Sequence, residues 1–368
     1  MIPYCKHPRM DPNAFQTYLD SFTHRDWQVA DDGDGPVRFA LIGLGWWTAD
    51  KAIPAINNST FCEATVAASS SKEKAERFVD DHETIEHGLT YDELQDGAAT
   101  DAYDAVYICT PNARHQTFVE SAVAHEKAIL CEKPMEATLE DANAIVDDCA
   151  DLEAPSMIAY RMHTEPAVRR ARELVREGAI GEPVHVHGNM SQSIVGWGEN
   201  QWRLDPEMAG RGASVTDLGI YPLNTTRFIL ERDPVAVQAM MDSSHEYFGD
   251  VPDEVAAFTV MLEGGVCISC TASQHSQLDS FLRIVGTDGT ISIDPAFHSE
   301  SELELTRANT TVRIDTPQVD QMEEEFDYFA DCVLDGREPE ATPEHGYVDM
   351  QAIEAVYDAA EREETITL

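Results

Sequence analysis

Lys133 stands in the run Cys131-Glu132-Lys133-Pro134, and further along comes Asp217-Leu218-Gly219-Ile220-Tyr221. An amine, a carboxylate and a phenol are what proton removal from an alcohol needs, and residues four apart, as Asp217 and Tyr221 are, share one face of a helix. Upstream, Gly43-Leu44-Gly45-Trp46-Trp47-Thr48 follows the apolar run Val37 to Ile42. After a strand and before a helix, such a turn suits a dinucleotide. Gly43 permits the tight bend, Gly45 lets the backbone approach a pyrophosphate, and the helix start offers free amides with a partial positive charge. The combination predicts a dehydrogenase acting on a hydroxylated substrate.

Two departures from the usual dinucleotide pattern are informative. Thr48 replaces the customary Gly or Ala at the third position, and its bulk should push helix and strand slightly apart. At the end of the second strand, where an NAD site carries Asp or Glu for the ribose 2′-hydroxyl, the chain has Ser69-Ser70-Ser71-Lys72-Glu73-Lys74. Ser70 occupies the position expected to be acidic. Ser69, Ser70, Ser71 and Lys74 would accept the 2′-phosphate of NADP, which an acid would repel. The competing reading is a serine helix cap with solvated lysines.

Those groups must be carried by an alternating framework. Strand-like runs at Val37 to Ile42, Ala64 to Ala68, Ala105 to Cys109, Ala128 to Cys131 and Ser156 to Ala159 are separated by helical stretches at Lys51 to Ile56, Lys72 to Val79, His115 to His125 and Leu139 to Cys149. This is α/β architecture with a parallel, doubly covered sheet, a Rossmann dinucleotide-binding domain over 36–160. Beyond it the rhythm changes. Helices over Pro166 to Glu177 and Ser214 to Leu230 are followed by strand runs at Val235 to Met241, Val255 to Leu262, Val266 to Thr271, Phe281 to Val285, Thr290 to Ile293, Leu303 to Leu305 and Thr311 to Ile314. With an earlier strand at Val184 to Met190 and closing helices at Gln321 to Leu334 and Tyr347 to Arg362, residues 161–368 form a C-terminal α/β domain with a large, mostly antiparallel open sheet. Residues 1–35 read as an arm and linker, in which Asp11 and Pro12 start a short helix with Phe15, Tyr18, Leu19 and Phe22 on one stripe.

At 368 residues the chain accommodates two domains, and its formal charge of −43 excludes nucleic acid as a partner, because a polyanion would be repelled. Acidity spread over the whole chain suits molar salt, where counterions screen self-repulsion. No apolar run approaches the ~20 residues of a bilayer span, and no secretory signal is evident, so a cytoplasmic protein without a membrane partner is expected. The eight cysteines are scattered, several inside apolar strand-like runs where they read as small buried hydrophobes. Cys267 and Cys270 point to opposite faces of a strand, and His185 with His187 lacks a third ligand, so no metal site is expected.

Taken with Thr110-Pro111-Asn112 and His115, Glu132-Lys133-Pro134, Tyr160-Arg161, Gln201-Trp202-Arg203, and Gly212 through Asp217, Gly219 and Tyr221, the chain resembles the glucose–fructose oxidoreductase, inositol dehydrogenase and MocA-type sugar dehydrogenase family over nearly all of its length after the arm. The resemblance implies a substrate cleft between the domains, a cis proline at Pro134, and a sheet that joins subunits into a homodimer or homotetramer. It adds Thr110, Pro111, Asn112, His115, Glu132 and Lys133 to the cofactor-binding residues. Many inositol-type members have His where this chain has Tyr221; the tyrosine is closer to the aldose dehydrogenases, including NADP-linked xylose-oxidising members of salt-loving archaea.

On this basis the expected reaction is oxidation of a small neutral sugar at C1 to its lactone, the anomeric proton passing to Tyr221 and hydride to NADP. Tyrosine ordinarily titrates near 10, so a base at neutrality needs about 3 to 4 kcal/mol of preferential phenolate stabilisation from a nearby cation. Lys133 is the candidate, with Asp217 holding it. Tyr160, Arg161, His163, Trp202, Arg203 and Asn224 are expected to line the sugar pocket. A dehydrogenase of glucose or an inositol-type polyol, a dinucleotide-sensing regulator without catalysis, and a glycosidase using transient oxidation are the competing functions.

The charge count predicts that the fold weakens at low ionic strength and recovers in concentrated KCl. Thermal melts compare the two conditions; equal melting temperatures in dilute buffer and in molar KCl would refute the expectation.

Overall fold

The computed structural model describes residues 21–31, 34–298 and 300–368. The helix expected from Asp11 to Phe22 lies outside the described residues apart from its last positions.

The first sheet has six parallel strands: β1 (Val37–Ile42), β2 (Cys62–Ser69), β3 (His87–Thr90), β4 (Ala105–Ile108), β5 (Ala128–Glu132) and β6 (Ser156–Ala159), in the order β3-β2-β1-β4-β5-β6. Its central strands are apolar at consecutive positions because both faces are covered, by α1 (Ile53–Asn58), α2 (Lys72–Asp81), α4 (His115–Ala124) and α5 (Leu139–Cys149) among others. The strand order reverses between β1 and β4, and the turns after these two strands, at Gly43 and Thr110, therefore flank one crevice at the carboxyl edge. The sequence reading had no element between α2 and β4. β3 and the short α3 (Tyr91–Gln95) were missed because β3 is a four-residue edge strand with only Leu89 buried. Gly88 on that strand lets α2 approach, since a Cβ there would lie 2.9 Å from the Ala75 backbone.

After α6 (Pro166–Arg176), the second sheet has nine strands: β7 (Pro183–Ser193), β8 (Pro234–Asp242), β9 (Val255–Leu262), β10 (Cys267–Ser273), β11 (His275–Gly286), β12 (Gly289–Ile293), β13 (Leu303–Arg307), β14 (Thr310–Ile314) and the two-residue β15 (Ile366–Thr367). Their order is β14-β13-β12-β11-β7-β10-β9-β8-β15, and only β7 with β10 runs parallel. The alternation in β9 buries one face and exposes the other, where Met240, Val255 and Met261 stand in water. β11 starts well before the expected Phe281, because His275 to Asp279 is exposed and mostly polar, with Leu278 its one apolar residue, and shows no alternation. Cys267, His185 and His187 fall on the open face, whereas Cys270 is buried.

Two helices, α7 (Pro206–Ala209) and α8 (Ile220–Leu230), intervene between β7 and β8, and α9 (Gln321–Asp335) and α10 (Pro343–Arg362) close the chain. α9 returns to the first sheet: Phe326 meets Phe39 and Tyr107 at ring separations of 5.3 and 5.0 Å. The end of the arm docks on the same helix. Arg25 pairs with Glu324 and Asp327, Trp27 packs edge-on against Tyr328, and the amides of Val29 and Ala30 donate to Asp331. Among the described residues, no helix is long and apolar enough to cross a membrane, and no group of three or more His, Cys, Asp or Glu could hold a metal ion.

Candidate active site

Lys133 follows β5, and the Lys133–Pro134 bond is cis. Asp217 lies on a π-helical turn (Val215–Gly219) that leads into α8, whose second residue is Tyr221. The turn has a local cause. Ile220 donates back five residues to Val215, and in that register the Asp217 carbonyl would face Pro222, which has no N–H. Lys133 takes the carbonyl instead: its Nζ lies 3.0 Å from Asp217 O and 2.8 Å from Oδ1. The same ammonium sits 4.7 Å from the centre of the Tyr221 ring. The three residues thus converge, and the acid faces the lysine.

Asp217 receives two further donors at Oδ2, Arg203 Nε at 3.0 Å and Gln274 Nε2 at 2.8 Å. Burial alone would favour the neutral acid, but Lys133 and Arg203 hold Asp217 well below the usual carboxylate range. For Lys133, burial likewise works against the charge, yet the Asp217 carboxylate outweighs it and the amine titrates above its ordinary value. Both side chains are largely enclosed, 12 and 15 % exposed. The ammonium and carboxylate therefore persist as a desolvated pair.

The cation at the phenol oxygen is not Lys133, as expected, but Arg161, whose Nε donates to Tyr221 Oη at 3.1 Å. Its other nitrogens donate to Gln321 Oε1 and the Phe297 carbonyl. The reason is directional. Lys133 is drawn toward Asp217, which leaves its charge above the ring and not at the hydroxyl.

The π turn and α8 are themselves held by a buried acid. Asp253 accepts from the amides of Ala213 (2.7 Å) and Val215 (2.8 Å) and from the Tyr357 hydroxyl (2.8 Å). Gly212 is required beside it, since a Cβ there would lie 2.3 Å from Asp253 Oδ1. Asp253 and Gln274 were missed by sequence reasoning. Each lies at a loop next to a strand end, with no motif marking it.

The dinucleotide turn fits its ligand class. Gly43 has φ +93°, and a Cβ there would come within 2.2 Å of the Cys109 carbonyl; Gly45 has no atom within 4 Å of a Cβ position, so its backbone is open to a phosphate. Thr48 does not wedge helix from strand. Its buried hydroxyl donates to Gly43 O at 2.6 Å, and the helix begins with a π turn over Thr48–Ala52. Ser70, Ser71 and Lys74 are exposed at the end of β2; Ser71 also caps α2, accepting from the Lys74 amide, and Lys72 pairs with Glu93. Leu44 and Ser69 are buried and would meet a dinucleotide through the backbone only. Thr110, also buried, packs against Gly43, with Pro111 half-buried beside it.

Several side chains expected at a ligand are engaged with protein groups instead. His115 is wholly enclosed, its two ring nitrogens facing the carbonyls of Thr110 and Met135, and burial pulls its pKa down to about 4; it braces the Thr110 and Pro134 turns from beneath. Asn112 is likewise buried and donates to Ala209 O at 3.0 Å, tying the first sheet's loop to α7. Glu132 accepts from Tyr107 Oη (2.7 Å) and Trp47 Nε1 (3.1 Å), so it fixes the Trp47 ring. Tyr160, His163 and Asn224 are buried. His163 stacks between Tyr160 and Phe228 and bonds Asn224, which also donates to Asp349, an interior network made because Tyr160 and its neighbours are covered by α8 and α10. Trp202 and Arg203 are half-buried, the guanidinium 4.5 Å from the Trp202 ring.

Two family models match: the oxidoreductase family with an NAD-binding Rossmann fold (GFO/IDH/MocA) over residues 37–160, and the GFO/IDH/MocA C-terminal domain over residues 168–292. The chain is 54% identical over 351 residues to "D-xylose 1-dehydrogenase [NADP(+)]" of Haloarcula marismortui, covering 94% of this chain and 97% of that one. It is 29% identical over 328 residues to "D-xylose 1-dehydrogenase (NADP(+)) 2" of Haloferax volcanii, covering 88% and 97%. Among solved structures, aldose-aldose oxidoreductase from Caulobacter crescentus, complexed with glycerol, is similar with a TM-score of 0.84 and 28% identity, covering 91% of this chain and 100% of that one.

The depressed acid and the raised amine define a stability window. Asp217 contributes above its unfolded value near 3.9 and loses that contribution as pH falls through its folded one; Lys133 contributes below about 10.4 and loses it as pH rises through its own. Asp217→Asn, leaving Lys133 and Arg203 without a counter-charge, is expected to cost about 3 kcal/mol in urea titrations at constant high salt near pH 7. The gap from wild type should shrink below about pH 4. A gap independent of pH would contradict this account.

Proposed function

Because the chain belongs to the Gfo/Idh/MocA oxidoreductases, we propose that it oxidises an aldose, D-xylose foremost, at C1 to the lactone with NADP as hydride acceptor. The observation that carries this is the meeting of Lys133 with Asp217 and Tyr221. The choice of pentose rests on the two haloarchaeal relatives.

NADP, when bound, supplies the acceptor for the hydride that leaves C1. The anomeric O–H bond breaks toward the Tyr221 oxygen, and the electrons it leaves form the lactone carbonyl as the C1–H pair departs. Arg161, donating to that phenol oxygen, stabilises negative charge there before the proton arrives. Lys133 spends two N–H groups on Asp217, and the third is available to a sugar hydroxyl. Asp217, with both oxygens occupied, orients Lys133 and Arg203 and does not act as a base. The Gly43 to Trp47 backbone would hold the pyrophosphate, and Ser70, Ser71 and Lys74, exposed at the end of β2, would receive the 2′-phosphate of NADP. We divide the chain into an arm at 1–35, a dinucleotide unit at 36–160 and a sugar-binding and assembly unit at 161–368, working in a salt-rich cytoplasm.

The open face of the nine-stranded sheet, with Met240, Val255 and Met261 exposed, is the surface we assign to a homodimer or homotetramer. Sedimentation in molar KCl reads the assembly, and a monomer at micromolar concentration would refute it.

Absorbance at 340 nm with NADP and a panel of aldoses in molar KCl tests the activity. Lys133→Ala and Tyr221→Phe are each expected to lose most turnover while retaining NADP binding. Near-normal turnover in either variant would overturn that residue's role, and a wild-type protein inert toward every aldose would overturn the reaction.

A further inference from the structure

Four of the chain's five tryptophans gather at one edge of the site. Trp46, directly after Gly45, and Trp197, in the crossover after β7, are 50 and 53 % exposed, yet their rings touch at a centroid separation of 6.4 Å. Trp47 stands edge-on to Trp46 at 5.3 Å, and the Arg203 guanidinium lies 5.7 Å from Trp197 and 4.5 Å from Trp202. Arg203 in turn bonds Asp217, so an unbroken line of contacts runs from the indoles to Lys133.

The segment bearing Trp197 is pinned. Ile194 and Leu204, at its two ends, are buried in a small separate core with Ala213, Phe248 and Val251. Gln201 Nε2 donates to the carbonyls of Ile194 and Gly198, cross-bracing the turn between them. Indole rings 6.4 Å apart are in contact, with no room for a sugar ring between them. The pair therefore cannot sandwich a ring. Half-exposed indoles in so acidic a chain are apolar surface left where a ligand can use it.

We propose that Trp197, buttressed by Trp46, is a specificity-determining residue: a fixed wall that limits the accepted aldose to about the length of a pentose. A hexose adds a hydroxymethyl group, which the wall excludes by steric contact. This rests on the aldose reading above. Trp197 has no hydrogen-bonding part in the Lys133, Asp217 and Tyr221 group, so its loss alters the choice of sugar more than the chemistry.

The test is the ratio of kcat/KM for D-glucose to that for D-xylose, measured with NADP in molar KCl. In Trp197→Ala the ratio should rise about tenfold, the scale set by one small group in a fitted pocket. Trp197→Phe, which keeps a ring, should move it less than the alanine variant does, and melting curves check that both variants fold. An alanine ratio within about twofold of wild type, in an enzyme that still oxidises xylose, overturns the wall and leaves the aldose reading standing. A wild-type protein inert toward both sugars overturns both.

Discussion

One carboxylate, Asp217, ties the two halves of the molecule together at the site. Lys133 follows β5 of the six-stranded sheet and Asp217 lies on the π turn leading into α8, which covers the nine-stranded one, and their ion pair is largely withdrawn from water. Such a pair is costly to assemble unless every remaining hydrogen-bonding position is filled. Here Oδ2 is filled by Arg203 and Gln274, Lys133 takes the carbonyl that Pro222 leaves without a partner, and Asp253 secures the helix start. Arg161 can then approach Tyr221, because the neighbouring ammonium is already neutralised by Asp217.

The charge distribution separates two tasks. A surface carrying most of a −43 net charge suits a salt-rich medium, while Lys133, Arg161 and Arg203 concentrate positive charge in the interior of the site. A neutral sugar is indifferent to the outer field. An anionic dinucleotide is not, and at high salt the screening length falls to a few ångströms, so the repulsion from the acidic surface reaches it little.

The parallel sheet was legible because its strands are apolar at consecutive positions, and the Lys133, Asp217 and Tyr221 set because each lies in a compact motif. The errors have physical origins. Edge strand β3 and the outer half of β11 bury too little to leave a pattern. His115, His163 and Asn224 have the polarity of ligand contacts, but sequence cannot tell an exposed polar group from one satisfied inside the core. That Arg161 and not Lys133 meets the Tyr221 hydroxyl depends on side-chain direction, and Gln274 reaches Asp217 only because β10 and β11 meet beneath the π turn.

The return of α9 to the first sheet makes the two halves inseparable as modules. Phe326 and Phe329 complete the hydrophobic cover of Phe39 and Tyr107, although they come after all but the last strand of the second sheet. A fragment ending near residue 160 would leave those aromatics facing water. Shuffling C-terminal portions among relatives therefore demands splice points before α6 and on both sides of α9, because β15 beyond it pairs with β8 while the dinucleotide portion must keep its own lid of aromatics.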